Sequence, residues 1–98
     1  MPANRKLTPL LAGRTVRMIE QAEALLNVLF TDGSSMKIKI SAPPPSLELR
    51  DRRILKVRQA GTVLNLDFED ESTAEIQMAE ATSSVMLRDA SGALEYAD

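Results

Sequence analysis

Ninety-eight residues carrying 12 basic and 14 acidic side chains fit one small domain with a net charge of −2, too near neutral for a strong field of either sign. The absence of cysteine and histidine excludes disulfides, thiolate nucleophiles, cysteine-ligated metals and the commonest general base near neutral pH. With 44% apolar residues but only Phe30, Phe68 and Tyr96 as aromatics, the core is aliphatic and small, and self-association is its natural supplement.

The chain opens with Arg5 and Lys6 ahead of an apolar stretch, residues 7–12, that is short and interrupted by Pro9. Such a stretch is neither a leader nor a membrane span, so the expected setting is the cytoplasm, with no membrane partner. Thr8 before Pro9 predicts a helix N-cap with proline at the first helical position, and Gly13 predicts the stop. Residues 1–13 are read as a one-turn N-terminal cap.

From residue 14 the chain repeats itself. Residues 14–51 align without a gap on 52–89, with 13 identical pairs in 38. Leu26-Asn27 falls on Leu64-Asn65, Phe30 on Phe68, Asp32 on Asp70, and Leu49-Arg50-Asp51 on Leu87-Arg88-Asp89. Alone, Glu20-Gln21-Ala22-Glu23-Ala24-Leu25-Leu26 favours a helix. Its counterpart, Arg58-Gln59-Ala60-Gly61-Thr62-Val63-Leu64, favours a turn between strands, so strand–turn–strand is predicted in both.

Each unit then alternates with a period of two. Leu26, Val28 and Phe30 share a face, as do Leu64, Leu66 and Phe68; Met36, Ile38 and Ile40 match Ala74, Ile76 and Met78. Lys37 and Lys39 face water in the first unit where Glu75 and Gln77 do so in the second. The hairpin turn Asp32-Gly33 becomes Asp70-Glu71, which predicts a turn that needs no positive φ. The proline run at 43–45 is a stiff surface connector. Short strands are predicted at 47–50 and 85–88, and a closing strand at 93–96 within the terminal segment 90–98. The expected fold is all-β, a small barrel or roll of eight to nine short antiparallel strands built from two tandem repeats.

Four sets of residues invite a functional reading. Arg50-Asp51 and Arg88-Asp89 form a duplicated pair that would bind an anion if the fold brought all four together; turn-fixing is the preferred role. Arg52, Lys56 and Arg58 share one strand face within a basic run and would meet phosphates, yet stacking aromatics are missing and acidic residues intervene. The acidic residues Asp67, Glu69, Asp70 and Glu71 read as a solvated hairpin tip, and the repeated Asn27 and Asn65 as marks of a bulge or turn. Leu10, Leu11 and Leu29 lack an obvious core role and are the candidate oligomer contacts.

These features favour a non-catalytic binding or assembly module without cofactor or metal, partnered by itself or another protein. A nucleic-acid accessory role and small-anion binding stand as alternatives.

Overall fold

Two apolar stripes at period two must each bury one face, and packing the two against each other is the smallest solution. The computed structural model of the protein, which describes residues 2–44 and 48–98, does this with two antiparallel sheets. A short helix, α1 (Thr8–Leu11), is followed by β1 (Val16–Ala22), β2 (Leu25–Phe30), β3 (Ser35–Lys39), β4 (Ile54–Ala60), β5 (Val63–Phe68), β6 (Thr73–Gln77), β7 (Val85–Arg88) and β8 (Leu94–Ala97). One sheet has the order β1-β2-β3-β7-β8 and the other β4-β5-β6. The all-β class and the strand number are as expected; the strands form two sheets, not one closed barrel.

The equivalence at a spacing of 38 residues extends to the backbone. Ile19 pairs with Val28 as Val57 pairs with Leu66, and Leu26 with Ile38 as Leu64 with Ile76. A register shift falls between Val16 and Met18 in β1 and at the matching place, between Ile54 and Lys56, in β4. The helix-prone residues around Glu23 do form a hairpin turn, with Glu23 at φ 55° where the second copy has Gly61 at φ 59°. Isolated bridges join Thr15 to Arg53 and Ile40 to Met78, each residue meeting its own counterpart. The bonds around them are reciprocal: Val16 N–H donates to Arg52 O and Ile54 N–H to Arg14 O, both at 2.9 Å. Only a local two-fold between the halves produces such reciprocity.

Inside lie Val16, Leu26, Val28, Met36 and Ile38 from one sheet and Ile54, Val57, Leu64, Leu66 and Ile76 from the other, with Phe30 and Phe68. The accessible surface is 5505 Å². A folded monomer of 10.7 kDa is expected to expose about 5,500 Å². The chain therefore reaches the exposure ordinary for a monomer of this mass without a partner.

Four expectations are corrected. The Asp70-Glu71 turn does use a positive φ, since Glu71 sits at φ 71° where Gly33 sits at φ 90°. Both turns are held alike: the leading aspartate accepts from the N–H and hydroxyl of the serine two residues on, while Phe30 or Phe68 N–H donates to that serine's carbonyl. This clamp fixes the backbone whatever stands between. Second, residues 48–50 are not a strand, and residues 45–47 lie outside the described residues. Third, Leu7, not Thr8, is the helix N-cap. The Thr8 hydroxyl bridges to β4 instead, donating to Val57 O (3.1 Å) and accepting from Val57 N–H (3.0 Å), while Asn4 Oδ1 accepts from Leu7 N–H (2.9 Å). Fourth, Leu11 is completely buried and so is not free for an oligomer contact, while Leu10 is partly buried against the core.

Leu11→Ala is expected to lower unfolding free energy by about 2–5 kcal/mol and Leu10→Ala by under about 1.5 kcal/mol, measured by urea denaturation. Gly33→Ala should cost about 1–2 kcal/mol, because φ is 90° and the added Cβ would stand 3.1 Å from Ala90 Cβ. Glu71→Gly, at the equivalent position, should be neutral or stabilising by the same assay.

Candidate functional site

The duplicated Arg-Asp pairs do not converge. Asp51 takes a left-handed conformation (φ 66°) and its N–H donates to Val16 O at 2.8 Å, tying the connector to the start of β1. Asp89 instead accepts from Ser91 N–H and Ala93 N–H, both at 2.9 Å, in the β7–β8 turn. Arg88 donates to Gly92 O at 2.9 Å within that same turn. Arg50 lies on an open groove with Arg17, Met18, Ile19, Glu48 and Arg52, and neither Asp51, Arg88 nor Asp89 lines it. The four residues thus serve two different turns and one groove.

The basic run and the acidic run neutralise each other. Their alignment on neighbouring antiparallel strands brings Arg58 opposite Asn65 and Lys56 opposite Asp67. Arg58 holds the Asp67 carboxylate with two bonds, Nε at 2.6 Å and Nη2 at 2.8 Å, and Thr73 Oγ1 donates to it at 2.8 Å. Arg53 pairs with Glu69 at 3.1 Å, and Arg52 lies 3.7 Å from Asp70 and donates to Ser72 Oγ. The acidic run is thus not a solvated tip throughout: Asp67 is buried beneath Arg58 and Thr73. Of the phosphate-reading set, Arg52 and Arg58 are engaged with acidic partners, while Lys56 is exposed.

The repeated asparagines mark neither bulge nor turn. Asn27 pairs regularly between Glu20 and Lys37, and Asn65 between Arg58 and Glu75, while the register shifts fall in β1 and β4. Asn27 Oδ1 is buried without a hydrogen-bond partner among the described residues.

The two sheets present different outer faces. On the three-stranded sheet, Lys56, Asp67 and Thr73 form one row and Arg58, Asn65 and Glu75 the next. On the five-stranded sheet, the equivalent rows are Met18, Leu29, Ser35, Arg88 and Leu94, then Glu20, Asn27, Lys37, Met86 and Ala97. Asp67 has thus become Leu29, Lys56 has become Met18, and Arg58 and Glu75 have become Glu20 and Lys37. Three of the large exposed apolar residues, Met18, Met86 and Leu94, stand on this face. Beside them an open depression is floored by Leu25, Val85, Met86 and Ala97 and rimmed by Lys37 and Lys39. Of the sequence-derived oligomer contacts, Leu29 lies here, partly exposed. Met86 and Leu94 escaped notice because sequence alone does not show that the C-terminal strands extend the first sheet.

Among the described residues no cluster of acidic side chains is arranged to hold a metal ion, and no helix is long and apolar enough to cross a membrane. Comparison of the chain with family models, with curated proteins and with solved structures finds no match.

The electrostatics of the turns and the Arg58–Asp67 pair set an acid dependence. The Arg58 guanidinium holds Asp67 below its ordinary pKa, against the opposing effect of burial. Hydrogen bonds from Ser34, Ser72 and Ser91 lower Asp32, Asp70 and Asp89 in the same direction. A carboxyl depressed by folding stabilises the native state above its unfolded pKa, near 3.9, and that contribution is lost as pH falls through the folded value. The melting temperature is therefore expected to hold from pH 7 to about pH 5 and to fall below about pH 4. Asp67→Asn should lower the melting temperature at pH 7 and flatten its acid limb, as followed by circular dichroism.

Proposed function

We propose that this protein is a non-catalytic binding and assembly module whose first partner is a second copy of itself, met through the outer face of the five-stranded sheet. One observation carries the reading. Where the three-stranded sheet carries the bidentate Arg58–Asp67 pair, with Leu55 exposed beside it, the five-stranded sheet has Met18 and the partly exposed Leu29, and its added hairpin sets Met86 and Leu94 on the same face. Since the chain reaches the exposure ordinary for a monomer without a partner, such apolar residues are surplus to folding.

Five strands at a spacing of about 4.8 Å make a face some 24 Å across. With strands of about five residues rising about 3.3 Å each, the face projects to roughly 400 Å², about half the standard interface of about 800 Å² per partner, so the association should be weak and concentration-dependent. A cytoplasmic setting suits a cysteine-free chain. A nucleic-acid role has less support, because Arg52, Arg53 and Arg58 are engaged with Asp70, Glu69 and Asp67. Small-anion binding has less support because the duplicated Arg-Asp pairs do not share a pocket.

Light scattering at two protein concentrations about tenfold apart tests this reading. The expected result is a mass that rises toward the dimer at the higher concentration and stays monomeric in Leu29→Glu/Met86→Glu. A monomer at both concentrations, or a dimer unmoved by the substitutions, overturns it.

A further inference from the structure

The chain already shows how one of its sheet edges accepts a strand. Residues 2–4 lie antiparallel along β4: Gln59 N–H donates to Pro2 O at 3.0 Å, Asn4 N–H donates to Val57 O at 2.8 Å, and Ala3 bridges Arg58. The local two-fold makes Ile19 and Gln21 of β1 the counterparts of Val57 and Gln59. The chain positions that would supply an equivalent arm, residues 40–42, are committed elsewhere. Ile40 N–H donates to Ala24 O (2.8 Å) and Ser41 N–H to Gln77 O (3.0 Å). Among the described residues, nothing pairs with the outer edge of β1 at Ile19 and Gln21.

Beside that edge runs the open groove of about 650 Å³ walled by Arg17, Met18, Ile19, Glu48, Arg50 and Arg52. Three guanidinium groups meet one carboxylate there. Arg52 is engaged with Ser72 and Asp70, whereas Arg17 and Arg50 form no ion pair among the described residues. An unpaired strand edge supplies affinity through main-chain hydrogen bonds, and adjacent charge selects the side chains.

We infer that the outer edge of β1 is a strand-addition site for an extended acidic peptide segment of another protein. The segment runs antiparallel to β1, as residues 2–4 run along β4. Its first residues pair with Gln21 and Ile19, and the acidic residues that follow reach Arg17 and Arg50. The chain's own N-terminal arm is a poor occupant, because Arg5 and Lys6 would follow into the same cationic groove. The site goes beyond self-association and uses a sheet edge, not the outer face, so it is open to test on the monomer.

The test is fluorescence anisotropy with a labelled peptide of about ten residues, Thr/Val-rich at its start and Asp/Glu-rich after it, at a protein concentration where light scattering reports monomer. Three companions are titrated alongside: the peptide with lysine in place of the acids, the acidic peptide N-methylated along its first residues, and the acidic peptide against Arg17→Glu/Arg50→Glu. The acidic peptide should bind, and each companion should weaken binding by about tenfold or more. A melting curve of the double variant confirms its fold, and the two peptide controls on the unaltered protein stand independently of it. Absence of binding overturns the site. Equal binding of the lysine peptide overturns the acidic specificity, and undiminished binding of the N-methylated peptide overturns strand addition.

Discussion

Everything in this fold depends on the reciprocal hydrogen bonds where β1 and β4 begin. Val16 N–H to Arg52 O and Ile54 N–H to Arg14 O lock the two three-stranded units at one end, and the Ile40–Met78 bridge, with Ser41 N–H to Gln77 O and Ala79 N–H to Lys39 O, locks them at the other. Neither three-stranded unit has a second apolar layer of its own. Once fixed at both ends, their inner faces have no alternative to each other. The aliphatic composition suits this arrangement: Leu, Val and Ile at alternate positions fill the space between sheets, and Phe30 and Phe68 occupy equivalent places.

Sequences outside the equivalent strands break the symmetry, and they break it at sheet edges. The β7–β8 hairpin adds to the free edge of β3, with Val85 opposite Ile38 and Leu87 opposite Met36. Residues 2–4 cover β4, and α1 seals that end with the buried Leu7 and Leu11. Arg14 reaches Glu95 at 2.7 Å, fastening β8 to the same end. The opposite seam is finished differently. Leu49 stands 38 residues after Leu11 and is buried in the same manner, yet a small crevice beside it is shared by Ile19 of β1 and by Thr73, Ala74 and Ile76 of β6. An unpaired edge is a hazard for aggregation, and among the described residues nothing pairs with β1 at Ile19 and Gln21, where residues 2–4 cover the matching edge of β4.

The self-alignment made much of this legible. It overruled the helical propensity around Glu23, because a backbone shared with Gly61 had to be a turn, and it set the inward stripes correctly. What it could not supply was topology: that β7 would pair with β3, that residues 48–50 would pack as a connector, and that Leu11 would be enclosed. These are long-range choices made by packing, with no local signature. The Asp70-Glu71 turn misled for a different reason. The aspartate–serine clamp dominates the local conformation, so glutamate is held at a φ that its own preference disfavours. The Arg-Asp repeats misled because equal letters received unequal surroundings: Asp51 precedes a strand and Asp89 opens a hairpin.

Divergence between equivalent positions is more informative about use than their identity. Identity at Leu26/Leu64, Phe30/Phe68 and Ile38/Ile76 is demanded by the shared core. No such demand acts on the outward positions, where Lys56, Arg58, Asp67 and Glu75 answer to Met18, Glu20, Leu29 and Lys37. One outer face is satisfied internally: Asp67 takes three donors, and charge meets charge. Across the other, Leu29 takes the place of that acceptor, and the bidentate contact has no counterpart. Stability alone gives no reason to expose methionine and leucine where an ion pair would serve as well. The exchange of Lys56 and Asp67 for Met18 and Leu29, beside Met86 and Leu94 of the added hairpin, is what supports the proposed binding face, and among the described residues nothing pairs with β1 at Ile19 and Gln21.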